Sequence, residues 1–111
     1  MATEYDLRID QGADFGFDVT WTEEDGTPIP LAAARMMIRR TYNSPTPMLS
    51  MEDGDGKITL DGPAGHVLVA IPAADTGSLE QGVYDLEVDE VDGTVVRLLM
   101  GQVFINPEVT R

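Results

Sequence analysis

The residues that could do chemistry in this chain are few, and carboxylates dominate them. His66 is the one histidine, and cysteine is absent. A zinc site gathers several nitrogen or sulfur donors, so His66 has nothing to complete one with. It opens an apolar stretch beside a glycine-rich turn, where edge packing is its expected role. Glu52, Asp53, Gly54, Asp55 and Gly56 resemble the start of a calcium loop. With Asp53 as the first position, Lys57 falls fifth and Ala64 twelfth, where a helix–loop–helix calcium site needs an acid and a glutamate. That pattern fails. An irregular calcium site stays open beside the default, a solvated turn.

The 20 Asp and Glu residues invite a paired-acid hydrolase. Most fall at alternate strand positions or in turns, and none lies in an apolar context that would raise its pKa. No G-x-S-x-G elbow, phosphate loop or dinucleotide fingerprint occurs. No catalytic, cofactor-binding or metal-binding residue is assigned, and the expectation is a non-enzymatic protein without cofactors. Recognition residues are easier to name. Arg35, Arg39 and Arg40 cluster in an otherwise acidic chain. Arg35 and Arg39 share a strand face with Met37, and Arg with Met suits a protein interface. The competing expectation is that these arginines pair with the protein's own acids. Leu98, Leu99 and Met100 are consecutive, so one strand is apolar on both faces. A loop, the short turn at residues 73–80 or another subunit must cover the second face. The candidate interface residues are therefore Arg35, Met37, Arg39, Arg40, Leu98, Leu99 and Met100.

Strands must position them. Phe15, Phe17, Val19 and Trp21 alternate with Asp14, Asp18 and Thr20, the period of a half-buried strand. Tyr5, Leu7 and Ile9 against Asp6 and Arg8 make a shorter one. Residues 33–40 contain good helix formers, but the stretch is short and lies among strands, which favours strand. Ala34, Met36 and Ile38 then face one way. Residues 48–51, 57–60 and 66–71 read as further strands, with Val67, Val69 and Ile71 opposing Leu68 and Ala70. Pro72 stops the last of these. Residues 73–80 suit one helical turn, with Asp75 or Thr76 as its cap. Tyr84, Leu86 and Val88 point inward along residues 83–90. The pair Asp92-Gly93 signals a hairpin into a long strand at residues 95–105. An extended tail covers about 106–111. Turn signals between short strands predict an all-β fold. Its architecture is an antiparallel β-sandwich, immunoglobulin-like, of seven to eight short strands with at most one helical turn.

Composition bounds the partners. Lys plus Arg number 7 against 20 acids, a formal net charge of −13. Clustered cations for phosphate contacts are missing, which excludes nucleic acid and an anionic membrane surface. The hydrophobic share of 42% is too high for a disordered acidic tail. A length of 111 residues fits one domain, 1–111. The N-terminus has neither a basic nor an apolar signal region, so synthesis and retention in the cytosol are expected unless the protein leaves within an assembly.

A wider pattern accumulates along the chain. It runs Ile9-Asp10-Gln11-Gly12-Ala13-Asp14-Phe15, Trp21 and Gly26-Thr27-Pro28-Ile29-Pro30-Leu31, then Ala34-Arg35-Met36-Met37-Ile38-Arg39. It continues through Ile58-Thr59-Leu60, Ile71-Pro72-Ala73, Gly82-Val83-Tyr84-Asp85-Leu86-Glu87 and Arg97-Leu98-Leu99-Met100-Gly101 to Pro107-Glu108-Val109-Thr110-Arg111. This resembles short proteins encoded in tailed-bacteriophage structural modules. It is similar to the N-terminal domain of phage baseplate upper proteins. The resemblance implies a β-sandwich virion protein that works by binding other virion proteins of the tail, baseplate or capsid, in several copies. A tail or baseplate component or adaptor is the leading expectation. A capsid decoration (cement) protein is the alternative, and a soluble acidic inhibitor or DNA mimic is a third.

Overall fold

Alternation becomes strand wherever it is sustained. In this computed structural model, which describes residues 3–109, the strands are β1 (Thr3–Glu4), β2 (Leu7–Asp10), β3 (Phe15–Thr20), β4 (Leu31–Arg39) and β5 (Leu49–Glu52). They continue as β6 (Ile58–Asp61), β7 (His66–Ile71), β8 (Gly82–Glu90) and β9 (Val95–Asn106), with one helical turn, α1 (Ala73–Thr76), after β7. The larger sheet runs β1-β9-β8-β4-β5, with β2 also on β9, and the smaller runs β3-β7-β6. The two pack as a sandwich, and the all-β expectation holds. Residues 33–40 are indeed strand. The pairing is antiparallel except that β1 and β2 run parallel to β9. The strand count exceeds the expected seven to eight because β1 and β2 are one edge strand broken at Tyr5 and Asp6. Thr3 opposes Leu99 and Leu7 opposes Val103, in one unbroken register. Asn106 belongs to β9 rather than to a tail, and Thr110 and Arg111 lie outside the described residues.

One core fills the space between the sheets. Ala34, Met36 and Ile38 from β4 meet Leu86 and Val88 from β8, with Val67, Val69 and Ile71 from β7 opposite. Phe15, Phe17 and Val19 point inward as expected but stay half-buried, because β3 is the edge of its sheet. Leu68 and Ala70, on the second apolar face of β7, are exposed. The hairpin at Asp92-Gly93 forms, with the Thr94 N–H donating to Asp92 Oδ1 at 2.9 Å.

Two sequence expectations are corrected by local geometry. Neither Asp75 nor Thr76 caps α1. Its first N–H, from Ala73, donates to Asp14 Oδ1 at 2.8 Å, across from the β2–β3 turn. Thr76 instead is wholly buried and knots that turn to the helix. Its Oγ1 accepts from the Gly12 N–H at 3.1 Å and donates to Ala13 O at 2.8 Å. Thr76→Val keeps the volume but strands both backbone groups. Urea unfolding should show a loss of about 1–3 kcal/mol. Thr76→Ser should recover most of it, and an equal loss in both variants would refute the role of the hydroxyl.

The second correction concerns Tyr5. It leaves the inward row of Leu7 and Ile9 and is 51% exposed, because the edge strand kinks over Gly101. The Tyr84 hydroxyl donates to Tyr5 O at this kink, and the Tyr5 N–H donates to Met100 O at 2.8 Å. A Cβ at Gly101 would stand 2.5 Å from Tyr5 O, so only glycine lets the strand cross there. Burial, with Tyr5 and Asp6 alongside, raises the Tyr84 pKa above the ordinary tyrosine value. The unfolded chain then gives up this proton first as pH rises. The contribution is complete below about pH 10 and is lost as pH climbs above it towards the raised folded value. Stability measured from pH 8 upward should fall more steeply beyond about pH 10 in the natural protein than in Tyr84→Phe.

Candidate interaction surface

The outward rows of β4, β8 and β9 build one charged face on the large sheet. Parity along β4 places Arg35, Met37 and Arg39 there, and parity along β8 adds Asp85, Glu87 and Asp89. On β9 the parity changes partway. Leu86 opposes Leu99 while Glu87 opposes Arg97, so Leu98 is the extra residue of a β-bulge. Arg97 and Met100 therefore share the outer face although an odd number of positions separates them. The same bulge turns Leu98 and Leu99 both inward, at 5% and 8% exposure. These two leucines belong to the protein's own core, so they are removed from the candidate interface. No loop or subunit is needed to cover them.

The arginines are paired within the chain. Arg35 Nε donates to Glu87 Oε1 at 3.2 Å, directly opposite, and its terminal nitrogen donates to Asp89 Oδ1 at 3.1 Å. The bond to Asp89 raises the Arg35 pKa, against the opposing effect of partial burial. Arg97 Nε lies 3.3 Å from Asp85 Oδ2. Burial raises the Asp85 pKa, and Arg97 only partly offsets it. Arg40, just past β4, bridges to Glu80 at the exposed rim. Arg39 differs. It donates to Ser44 O at 2.7 Å and to Met37 Sδ at 3.3 Å, and among the described residues no carboxylate oxygen forms a salt bridge with it. Around these side chains lies a depression of about 390 Å³, with Tyr42 in its lining.

So the structure brings together Arg35, Met37, Arg39 and Met100, leaves Arg40 at the edge, and buries Leu98 and Leu99. Asp85, Glu87, Asp89, Arg97 and Tyr42 join the face, although the sequence pattern placed the acids only at alternate strand positions or in turns. Parity could have grouped the acids, but register was needed to match each to its arginine. Charged pairs this exposed contribute little to stability, of order 0–1 kcal/mol each. Their larger effect is to hold the arginines in fixed positions beside Met37, Met100 and Tyr42. The face can therefore offer thioether and aromatic contact within a preset pattern of charge, the chemistry of protein recognition.

Elsewhere the notable acids serve the backbone. Asp53 Oδ1 accepts from the Ala34 N–H at 3.0 Å. Asp55 accepts from the N–H groups of Glu52, Lys57 and Ile58. Slight burial pushes the Asp55 carboxyl up, but those three N–H groups and the Lys57 charge outweigh it, and its pKa is lowered. His66 lies on β7 of the smaller sheet, its Nε2 2.9 Å from Asp18 Oδ2.

No family model matches the chain. A search of curated proteins returns no match either.

Proposed function

We propose that this chain is a non-enzymatic structural protein of a tailed-bacteriophage virion. In this reading it docks in several copies onto a symmetric assembly as a tail or baseplate component or adaptor. The observation that carries the reading is the outer face of β4, β8 and β9. It has the Arg, Met and Tyr composition of a protein interface, and the pairing of its charges keeps it ordered before any partner arrives. The resemblance of the turn-and-strand motifs to phage structural modules supports the same reading, and so does the β-sandwich architecture. The strong negative charge suits a protein that orders where a scaffold offers complementary contacts, not one that assembles with itself.

Quantitative mass spectrometry of purified virions tests the assignment. Some tens of copies per particle are expected. Hundreds would transfer the protein to the capsid surface as a cement protein, and absence from the particle would leave the soluble inhibitor standing. The face is tested separately by Met37→Asp combined with Arg39→Glu. Neither residue is in the core, so the isolated domain should stay folded while incorporation fails. Normal incorporation of a folded variant would remove this face from the interface.

A further inference from the structure

We propose that the open edge of β3 is a docking strand for an extended, lysine- or arginine-bearing segment of another protein. A two-sheet sandwich exposes four edges, and each presents backbone N–H and C=O groups that can template another strand. On this molecule three are guarded at least in part. On β5 the Glu52 N–H is taken by Asp55 Oδ2 at 2.9 Å. On β6 the Ile58 N–H is shared with Asp55 Oδ1, and Ile58 O accepts from the Gly54 N–H at 3.3 Å. The β1–β2 edge is broken at Tyr5 and Asp6. Its parallel ladder bonds through Tyr5 and Gln11 to β9, which turns Asp6, Arg8 and Asp10 outward. Charged side chains and a kink are the usual protection of an edge.

The fourth edge is different. The Trp21 N–H donates to Gly65 O at 2.7 Å, one step beyond the Thr20–His66 pair. Antiparallel bonding alternates, so Val19, Phe17 and Phe15 bond to β7. The backbone groups of Gly16, Asp18 and Thr20 then point away from the sheet. Among the described residues no backbone hydrogen bond from another segment reaches them. The strand is six residues long and unbroken, and at Gly16 there is no side chain to keep a neighbouring backbone away.

The chemistry beside this edge selects its occupant. Phe15 and Phe17 are half-buried with ring centroids 6.0 Å apart, and exposed Tyr5 packs on Phe17 at 6.4 Å. Alternate residues of an added strand would rest on these rings, as in strand addition generally. On the outer side stand Asp14 and Asp18, with Glu4, Asp6 and Asp10 along the neighbouring edge. His66 beside Asp18, and Lys57 in the row of Gly16 but paired with Asp75, are the basic groups on the outer side of the small sheet, while Arg8 lies over the Phe104 ring at 4.7 Å on the larger sheet. A second copy would bring aspartates against aspartates, each chain carrying −13. An incoming strand that sets a cation across from Asp18 meets the opposite charge there.

Amide exchange of the labelled protein tests this, with two blocked heptapeptides as probes, one alternating valine with lysine and one alternating valine with glutamate. The lysine peptide should slow exchange at Gly16, Asp18 and Thr20, and should bind at least about tenfold more tightly than the glutamate peptide. Asp18→Lys should reverse that preference while retaining the dispersion of the folded spectrum. Protection by neither peptide would overturn the proposal. So would equal protection by both, or effects confined to the β4–β8–β9 face. Protection of the same three amides with rising protein concentration and no peptide would make the occupant a second copy and overturn the choice of partner.

Discussion

Leu86→Ala should lower the free energy of unfolding by about 2–5 kcal/mol, the range for truncating a buried leucine whose site cannot collapse. Leu86 is fully buried on the central strand of the large sheet, between Met36 on β4 and Leu99 on β9. A strand laddered to β4 on one side and to β9 on the other, with the bulge falling beside Leu86, cannot close on the space left behind. Against the roughly 5–15 kcal/mol of a typical domain, a loss of this size is a substantial fraction. Urea denaturation would show the midpoint falling with little change in slope, since the same surface is exposed on unfolding. Exchange protection should fall throughout the molecule in parallel. A loss below 1 kcal/mol would mean that the core repacks around the gap, and the description of a continuous core would need revision.

Gly101→Val should be about as damaging but in a local way. A Cβ at this position meets Tyr5 O at 2.5 Å, Asp6 Oδ1 at 2.8 Å and Tyr5 C at 2.9 Å. Two of these are backbone atoms and cannot swing aside. The kink between β1 and β2 must lift, which costs about 1–3 kcal/mol if the chain adjusts in place. If it detaches instead, the buried side chains of Leu7 and Ile9 are given up, about 1.5–3 kcal/mol for each. Either way three contacts fail together: Tyr84 to Tyr5 O, Tyr5 to Met100 O, and Gln102 to Asp6 Oδ1. Exchange should accelerate first at Tyr5, Leu7, Ile9 and Gln102, ahead of β4 and β8. Uniform acceleration of the kind expected for Leu86→Ala would contradict the local account.

Much of the fold was legible because it rests on local chemistry. The alternation in residues 15–20 and 82–90, the stop at Pro72 and the Asp92-Gly93 turn depend only on neighbours in the chain. What failed to show depended on partners far away in sequence. Leu98-Leu99 looks like a surplus apolar face until β8 supplies the register that makes Leu98 a bulge. Asp75 and Thr76 had the right type for a helix cap, but Asp14 reaches that N–H from the β2–β3 turn. The candidate face was half legible. Arg35, Met37 and Arg39 were grouped by parity alone, whereas the matching of Arg35 to Glu87 and Asp89 needed β4 to be laid against β8.

The parallel pairing of β1 and β2 with β9 also fixes how the molecule carries load. The ladder runs from Thr3 beside Leu99 to Asp10 beside Asn106. A pull applied before Thr3 and after Asn106 therefore acts at opposite ends of one ladder. Its rungs are strained together in shear, and none can open ahead of the rest. Forced extension measures an unfolding rate, not an equilibrium. Gly101→Val, which weakens this clamp, should lower the rupture force more than Leu86→Ala, which spares it.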